Sequence, residues 1–389
     1  PITKGGEEYE RNRGHCIAAR TQLFQQLQAV HPRHLHIADN QIGRAGINAG
    51  EGQFGAGSLI DDKPVIGQFI GNIAQDFRFH TGEVMPELRL SYLTIGEPSG
   101  TPVLVLHGSA GSSRSMISPA FAGQLFGPGQ ALDAAKHYII IPDALGAGKS
   151  SKPSDGLRAR FPQFNYADIL AAQHRLLTEG LGIRHVRLVI GNSMGGMLTW
   201  LWGATHPDFM DAIVPMAAQP TAMSGRNWML RRMMIETIRR DPAYQGGVYS
   251  SQPASLSLGF LFFNIATNGG SQALQKSAPT RAAADAILDQ RLAQPGSADA
   301  NDLIYMYEAS RDYDPEPLLG RIRARVLAIN SADDERNPHE TGLMAAAMAR
   351  IPNARLLLIP SSPETAGHGT TGQARFWREE LDRFLKELP

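Results

Sequence analysis

The chain has 389 residues, 42% of them hydrophobic and 19% charged, with 37 Lys plus Arg against 37 Asp plus Glu and a formal net charge of zero. This composition excludes a disordered or fibrous chain, and it offers no basic excess to neutralise a phosphate backbone, so nucleic acid is not an expected partner. The single cysteine, Cys16, excludes an intramolecular disulfide framework and any Cys-x-x-Cys metal or redox motif, and it leaves the compartment open.

Residues 1 to about 72 carry polar, glycine-rich text such as AGINAGEGQFGAGS. One short helix-like stretch, Ala18 to Val30, interrupts it, and the segment is expected to be a poorly ordered N-terminal extension outside the core. His31, His34 and His36 fall in it; no nearby Cys or clear acidic partner completes a metal site, so they read as a solvated loop. The chain starts with Pro, and no charged segment leads into an apolar one. A removed signal peptide is thus neither seen nor excluded, and the localisation, cytoplasmic or exported, stays open.

From Asp76 the text alternates, DFRFHTGEVMPELRLSYLTIGE, which predicts a two-stranded hairpin. Short continuous apolar runs follow at Val103 to Gly108, Tyr138 to Asp143, Val186 to Ser193, Ala212 to Ala218, Arg325 to Ser331 and Arg355 to Ser361, as expected of strands buried on both faces. Helical periodicity lies between most of them, for example at Tyr166 to Glu179 and Gly196 to Thr205. The predicted fold class is therefore α/β, a mostly parallel sheet with helices on both faces, its core formed by residues 73–218 and 325–389. Residues 219–324 interrupt this alternation with Met- and aromatic-rich helical text, RNWMLRRMMIETIRR and LSLGFLFFNIA, and are expected to form an inserted helical lid. Even the longest apolar stretch, Leu256 to Ala266, is far short of the roughly 20 residues of a membrane span, so a soluble protein is expected.

The strongest chemical signal is Gly191, Ser193 and Gly195, a G-x-S-x-G placed directly after an apolar strand and directly before a helix. A nucleophile on such a tight turn projects its hydroxyl beyond the sheet edge, and the crowded backbones need small residues two places to either side. Ser193 is the candidate nucleophile. A serine needs a base, commonly a His oriented by a carboxylate, in the chain order Ser, acid, His. Asp333 and Asp334 follow one later strand and His368 follows another, while His339 stands at a predicted helix start. Acyl transfer also needs two backbone donors for the developing oxyanion; these are expected at Met194, after the nucleophile, and at Ser109, in the loop after LVLHG. His107 reads as part of a turn. GAGKSS (Gly146 to Ser151) fails as a phosphate-binding loop because Asp143 stands where its first glycine belongs, and no G-x-G-x-x-G follows a strand.

With LHGSAGSS, PDALGAGKS, GNSMGGM, ADDERNP and GHG in this order, the chain from about residue 76 onward resembles the α/β-hydrolase superfamily. SMGGM, FGPGQALDAAKHYIIIPD and DPAYQGGVY resemble its homoserine O-acetyltransferase-like branch. The resemblance implies Ser193, Asp334 and His368 as the triad, Asp334 being favoured by its spacing to Pro338, with Ser109 and Met194 as oxyanion donors. It further implies that a transferase would carry an Arg six residues before Asp241 to grip the homoserine carboxylate, and an Asp after the catalytic His to meet the ammonium. Here those positions are Ile235 and Gly369; Arg231 and Arg232 stand nearby, although surface helix positions are the commoner fate of such a pair. The expected activity is therefore ester hydrolysis on a small-molecule acyl substrate, with no cofactor and no metal. An acyl-CoA-dependent O-acyltransferase and a catalytically silent binding protein are the alternatives, and a homodimer is left open.

Overall fold

Side chains that alternate along a strand point to opposite faces of its sheet, and here the continuous apolar runs serve two cores at once. The computed structural model describes residues 66–389 apart from Pro295 and Ser297. Cys16, the helix expected at Ala18 to Val30, and His31, His34 and His36 lie outside the described residues. Eight strands, β1 Ile66–Arg78, β2 Val84–Ile95, β3 Thr101–Leu106, β4 His137–Pro142, β5 Val186–Asn192, β6 Met210–Met216, β7 Arg325–Ser331 and β8 Ala354–Ile359, form one sheet in the order β1-β2-β4-β3-β5-β6-β7-β8. β2 pairs antiparallel with β1 and β4, and all other neighbours are parallel. Leu104, Ile140, Val189 and Ile213 fill the core on one face, and Val103, Ile139, Leu188 and Val214 fill the other. Each such buried aliphatic side chain contributes about 1.5–3 kcal/mol.

The helices among the described residues are α1 Ala122–Leu125, α2 Tyr166–Arg175, α3 Met194–Thr205, α4 Gly225–Arg239, α5 Ala254–Thr267, α6 Ser271–Ser277, α7 Arg281–Leu292, α8 Ala300–Glu308, α9 Leu343–Met348 and α10 Arg378–Lys386. The sequence dictates several of their starts: the Asn165 side chain and Asp168 cap α2 reciprocally, and the Asp299 carboxylate accepts the first amides of α8. Between β6 and β7 run α4 to α8. Met234, Ile235, Ile238, Leu256, Phe263 and Ile304, from α4, α5 and α8, bury one another in a third core. The longest apolar stretch lies within α5, and among the described residues no helix is long and apolar enough to cross a membrane.

The hairpin begins earlier than the alternation suggests. β1 starts at Ile66, paired with Ile95, so residues 66–72, assigned from the sequence to the N-terminal extension, belong to the sheet. Gly67 and Gly71 break the apolar periodicity there, and the register shifts between Asn72 and Ala74; backbone pairing, which needs no side-chain pattern, continues through both.

Candidate active site

Ser193 sits between β5 and α3 with φ 58° and ψ −115°, a left-handed conformation that L-residues other than glycine avoid. The turn is held on both sides, the Ser193 amide donating to the Met216 carbonyl at 2.9 Å and its own carbonyl accepting from the Met197 amide at 2.9 Å. Holding a residue there costs about 1–3 kcal/mol, which the packing must offset. The flanking glycines are required by that packing: a Cβ at Gly191 would stand 2.2 Å from the Gly195 carbonyl oxygen, and one at Gly195 would stand 2.2 Å from that of Leu106.

The turn delivers the Ser193 hydroxyl to His368, whose Nε2 lies 2.8 Å from Oγ. On the other side of the imidazole, Nδ1 stands 3.0 Å from each carboxylate oxygen of Asp334. All three side chains are buried. Asp334 Oδ1 also accepts from the Arg336 and Asn337 amides at 2.9 and 3.2 Å, and Oδ2 accepts from Asn337 Nδ2 at 3.0 Å. Burial alone would push the Asp334 pKa up, but the His368 charge and these hydrogen bonds hold it below the ordinary carboxylate value. His368 is shifted down, mainly by burial, with the Arg336 and Arg231 charges adding to that and Asp334 opposing it. A neutral imidazole anchored through Nδ1–H leaves Nε2 free to accept a proton.

Asp333, the competing acid, faces elsewhere. It accepts from the Ser331 hydroxyl, from Thr365 Oγ1 at 2.7 Å and from the Gly367 amide at 3.3 Å, and so ties down the loop that presents His368. His339 is half-exposed against the Ala332 carbonyl. His107 is buried between the Gly108 carbonyl, 2.8 Å from Nδ1, and the Ala144 amide, which donates to Nε2 at 2.9 Å, and burial lowers its pKa. Asp143 accepts from the Ser113 amide at 2.6 Å and from the Lys149 amide at 2.9 Å, so its carboxylate organises the loops after both β3 and β4. This fills the turn of GAGKSS from within, in keeping with the failed phosphate-loop pattern.

Met194 is the first residue of α3, where helix geometry leaves amides without an intrahelical partner. Gly108, which precedes Ser109, packs on the nucleophile, its Cβ position lying 3.4 Å from the Ser193 Cβ. Asn337 is a site residue that the sequence reading passes over. Besides Asp334 it holds the Ala217 carbonyl at 2.8 Å and the Gln219 amide at 3.2 Å, joining the acid loop to the end of β6. Its signal was in view, since it lies inside ADDERNP. The helical insertion reaches the same place: Arg336 donates to Thr267 Oγ1 at 3.0 Å and stacks 4.6 Å from the Phe263 ring centre, and the Gly269 amide donates to the Ala366 carbonyl, two residues before His368.

A family model for the alpha/beta hydrolase fold matches residues 101–366. The chain belongs to the α/β-hydrolase family. It falls in the homoserine acetyltransferase-like branch, whose members include both esterases and acyltransferases. A probable acyltransferase of Methanothermobacter thermautotrophicus is 29% identical over 323 residues, covering 80% of this chain and 95% of that protein. The homoserine O-acetyltransferase of Thermobifida fusca is 33% identical over 198 residues, 46% of this chain and 52% of that protein, so this match spans about half of each. Among solved structures, the acetyl esterase MekB superposes with a TM-score of 0.69 at 26% identity, covering 82% of this α/β-hydrolase and 96% of the esterase. Where the branch's transferases are expected to carry Arg, Ile235 is fully buried in the insertion core, and Gly369 follows His368 in a 3-10 turn. The arginine pair nearby divides: Arg232 is exposed in an ion pair with Glu236, whereas Arg231, against the expectation of a surface position, is 1% exposed. Consecutive residues of a helix point about 100° apart, so two neighbours can fall on either side of the boundary between its buried and exposed faces.

Proposed function

We propose that this α/β-hydrolase is a serine hydrolase of carboxylic esters, and the observation that carries the reading is the continuous relay from Ser193 Oγ through His368 to buried Asp334. Ser193 Oγ attacks the ester carbonyl as His368 Nε2 takes its proton, and Asp334 steadies the resulting imidazolium. The Met194 and Ser109 amides stabilise the oxyanion. Collapse expels the alcohol, which receives the proton from His368, and leaves an acyl group on Ser193. Water, deprotonated by the same imidazole, releases the acid and restores the serine. Helices α4 to α8 act as a lid over this centre, and their Met- and aromatic-rich faces suit an acyl or aryl group of moderate size.

Transfer to an amino-acid alcohol is the second reading, favoured by the likeness to acyltransferases. Burial of Ile235 and the glycine at 369 weigh against it, because a zwitterionic acceptor needs a cation and an anion at those places. A silent binding protein has no need of the intact relay. The deciding assay follows p-nitrophenyl ester cleavage by the parent and by Ser193→Ala, with and without homoserine or another alcohol. Turnover by the parent alone, indifferent to acceptor, is the expected result. Release that depends on acceptor, with the acyl group recovered on the alcohol, establishes the transferase, and equal rates for parent and Ser193→Ala remove Ser193 from the mechanism.

A further inference from the structure

Arg231 is among the largest fully buried side chains of the described residues. Its Nε donates to Asn227 Oδ1 at 3.0 Å, its Nη1 donates to Ser310 Oγ at 3.1 Å, and its guanidinium carbon lies 5.2 Å from the centre of the Tyr307 ring. All three partners are neutral. Among the described residues no carboxylate forms an ion pair with Arg231, so its charge is met by neutral groups alone. An isolated cation removed from water is costly unless an anion reaches it. Burying it without one makes sense where the anion arrives with a ligand.

The neighbouring groups support the same conclusion. Tyr166, at the start of α2, is 1% exposed, and its hydroxyl lies beside Arg231, Ser310 and the Ser109 side chain. Neither Tyr166 Oη nor Ser109 Oγ makes a hydrogen bond, although both atoms are buried. Burial raises the phenol pKa, so this hydroxyl keeps its proton and remains a donor. A guanidinium and two hydroxyls thus meet from α4, from α2 and from the loop after β3. Ser109 stands in the loop beside the nucleophile, and the Arg231 charge acts on His368, so this donor cluster shares the reaction centre. Arg336, the other buried arginine there, already has the Asp334 and Glu335 carboxylates within electrostatic reach. A carboxylate, with two oxygens and about four acceptor positions, can satisfy three converging donors.

We infer that Arg231, Tyr166 and Ser109 receive a carboxylate of the substrate, so that the enzyme acts on esters carrying a free carboxylate on either the acyl or the alcohol part. The inference rests on the ester-hydrolase reading of the same centre. It reconciles an apolar lid with one buried charge, since an aliphatic stem with an anionic end fits both. The charge enters α4 one turn before Ile235, so the recognition differs in place from the clamp expected of the transferases.

Two measurements test it. The first uses isosteric pairs in which a carboxylate replaces an isopropyl group. p-Nitrophenyl hemisuccinate against p-nitrophenyl 4-methylpentanoate probes the acyl side, and 3-acetoxypropanoate against isopentyl acetate probes the alcohol side. The parent is expected to show a KM about tenfold to a hundredfold lower for the charged member of one pair, the range for a charge-assisted contact, and that pair identifies the side. Arg231→Gln should collapse this ratio to near one, and Tyr166→Phe should reduce it. A ratio near one in both pairs for the parent overturns the inference. So does a ratio unchanged by Arg231→Gln or, if that variant does not fold, by Tyr166→Phe. The second measurement is calorimetric binding of glutarate to the Ser193→Ala protein, with glutaramide as the neutral control. Glutarate is expected to bind at least tenfold tighter, and equal binding counts against the carboxylate site. Arg231-dependent glutarate binding without turnover of any ester by the parent keeps the site and removes the hydrolase reading; turnover of neutral esters without glutarate binding does the reverse.

Discussion

Asp334→Asn should lower kcat by about 10⁴, equivalent to about 5.4 kcal/mol in the barrier, while leaving the fold in place. The aspartate accepts from four donors: His368 Nδ1, the Arg336 and Asn337 amides on Oδ1, and Asn337 Nδ2 on Oδ2. An asparagine that keeps its oxygen at the Oδ1 position preserves both backbone bonds. Its NH2 then faces His368 Nδ1 and Asn337 Nδ2. Nδ1 lies 3.0 Å from both positions, so the NH2 competes with the oxygen for it. Where the NH2 donates, the imidazole proton moves to Nε2, points at Ser193 Oγ and prevents acceptance of the serine proton. The remaining clash with Asn337 costs about 1–3 kcal/mol of stability, the range for an unsatisfied buried donor. Asp333→Asn is the matched control. Its oxygen can still accept from Thr365 and Gly367 while its NH2 donates to Ser331, so kcat should stay within about tenfold of the parent, a difference worth no more than about 1.4 kcal/mol. Steady-state kinetics on a p-nitrophenyl ester and thermal unfolding of all three proteins provide the comparison. Equal losses in the two variants, or an Asp334→Asn protein within tenfold of the parent, would refute the assignment of the acid.

Two further outcomes follow from the geometry. The acid limb of kcat/KM should fall below the ordinary histidine value of 6.5, because burial first and the Arg336 and Arg231 charges second lower the pKa of His368; activity persists below pH 6.5 and is lost as the pH falls through the folded-state pKa. Arg336→Gln should move that limb to higher pH, and a limb unmoved in a pH-rate profile argues against the charge effect. Ser193→Gly should abolish activity yet unfold at a higher temperature than Ser193→Ala, by an amount corresponding to about 1–3 kcal/mol, since glycine adopts φ 58° without the steric penalty. A Ser193→Gly protein that melts at or below Ser193→Ala in calorimetry places the strain elsewhere.

The relay was legible because each of its members follows an apolar strand run, and strand ends are the positions at which this architecture gathers side chains. What the sequence could not decide was which of two adjacent residues turns inward. Asp333 and Asp334 both leave β7, and only the packing of the Thr365–Gly367 loop on one and of Asn337 on the other separates them. Arg231 and Arg232 pose the same problem on a helix, where one extra neighbour on α8 or α2 selects the buried member. The first half of β1 escaped for a different reason: its pairing with β2 is a backbone property, and glycines erase the side-chain period that would reveal it.

The features hardest to read are also those that local preference opposes. A lone serine at positive φ, an arginine without a counter-charge and two buried hydroxyls without partners each cost stability, and a sequence selected for folding alone would avoid them. That these three meet at one centre is the reason to treat Arg231 as part of the same chemistry as the relay. A charge buried for structural reasons would be expected to have a carboxylate in reach, and Arg336 has Asp334 and Glu335 within electrostatic reach. Arg231 instead forms no ion pair among the described residues, its direct partners being amide, hydroxyl and ring groups. Such an environment leaves the attraction for an incoming anion almost undiminished, and weak screening in the interior is what makes one guanidinium sufficient to discriminate between substrates.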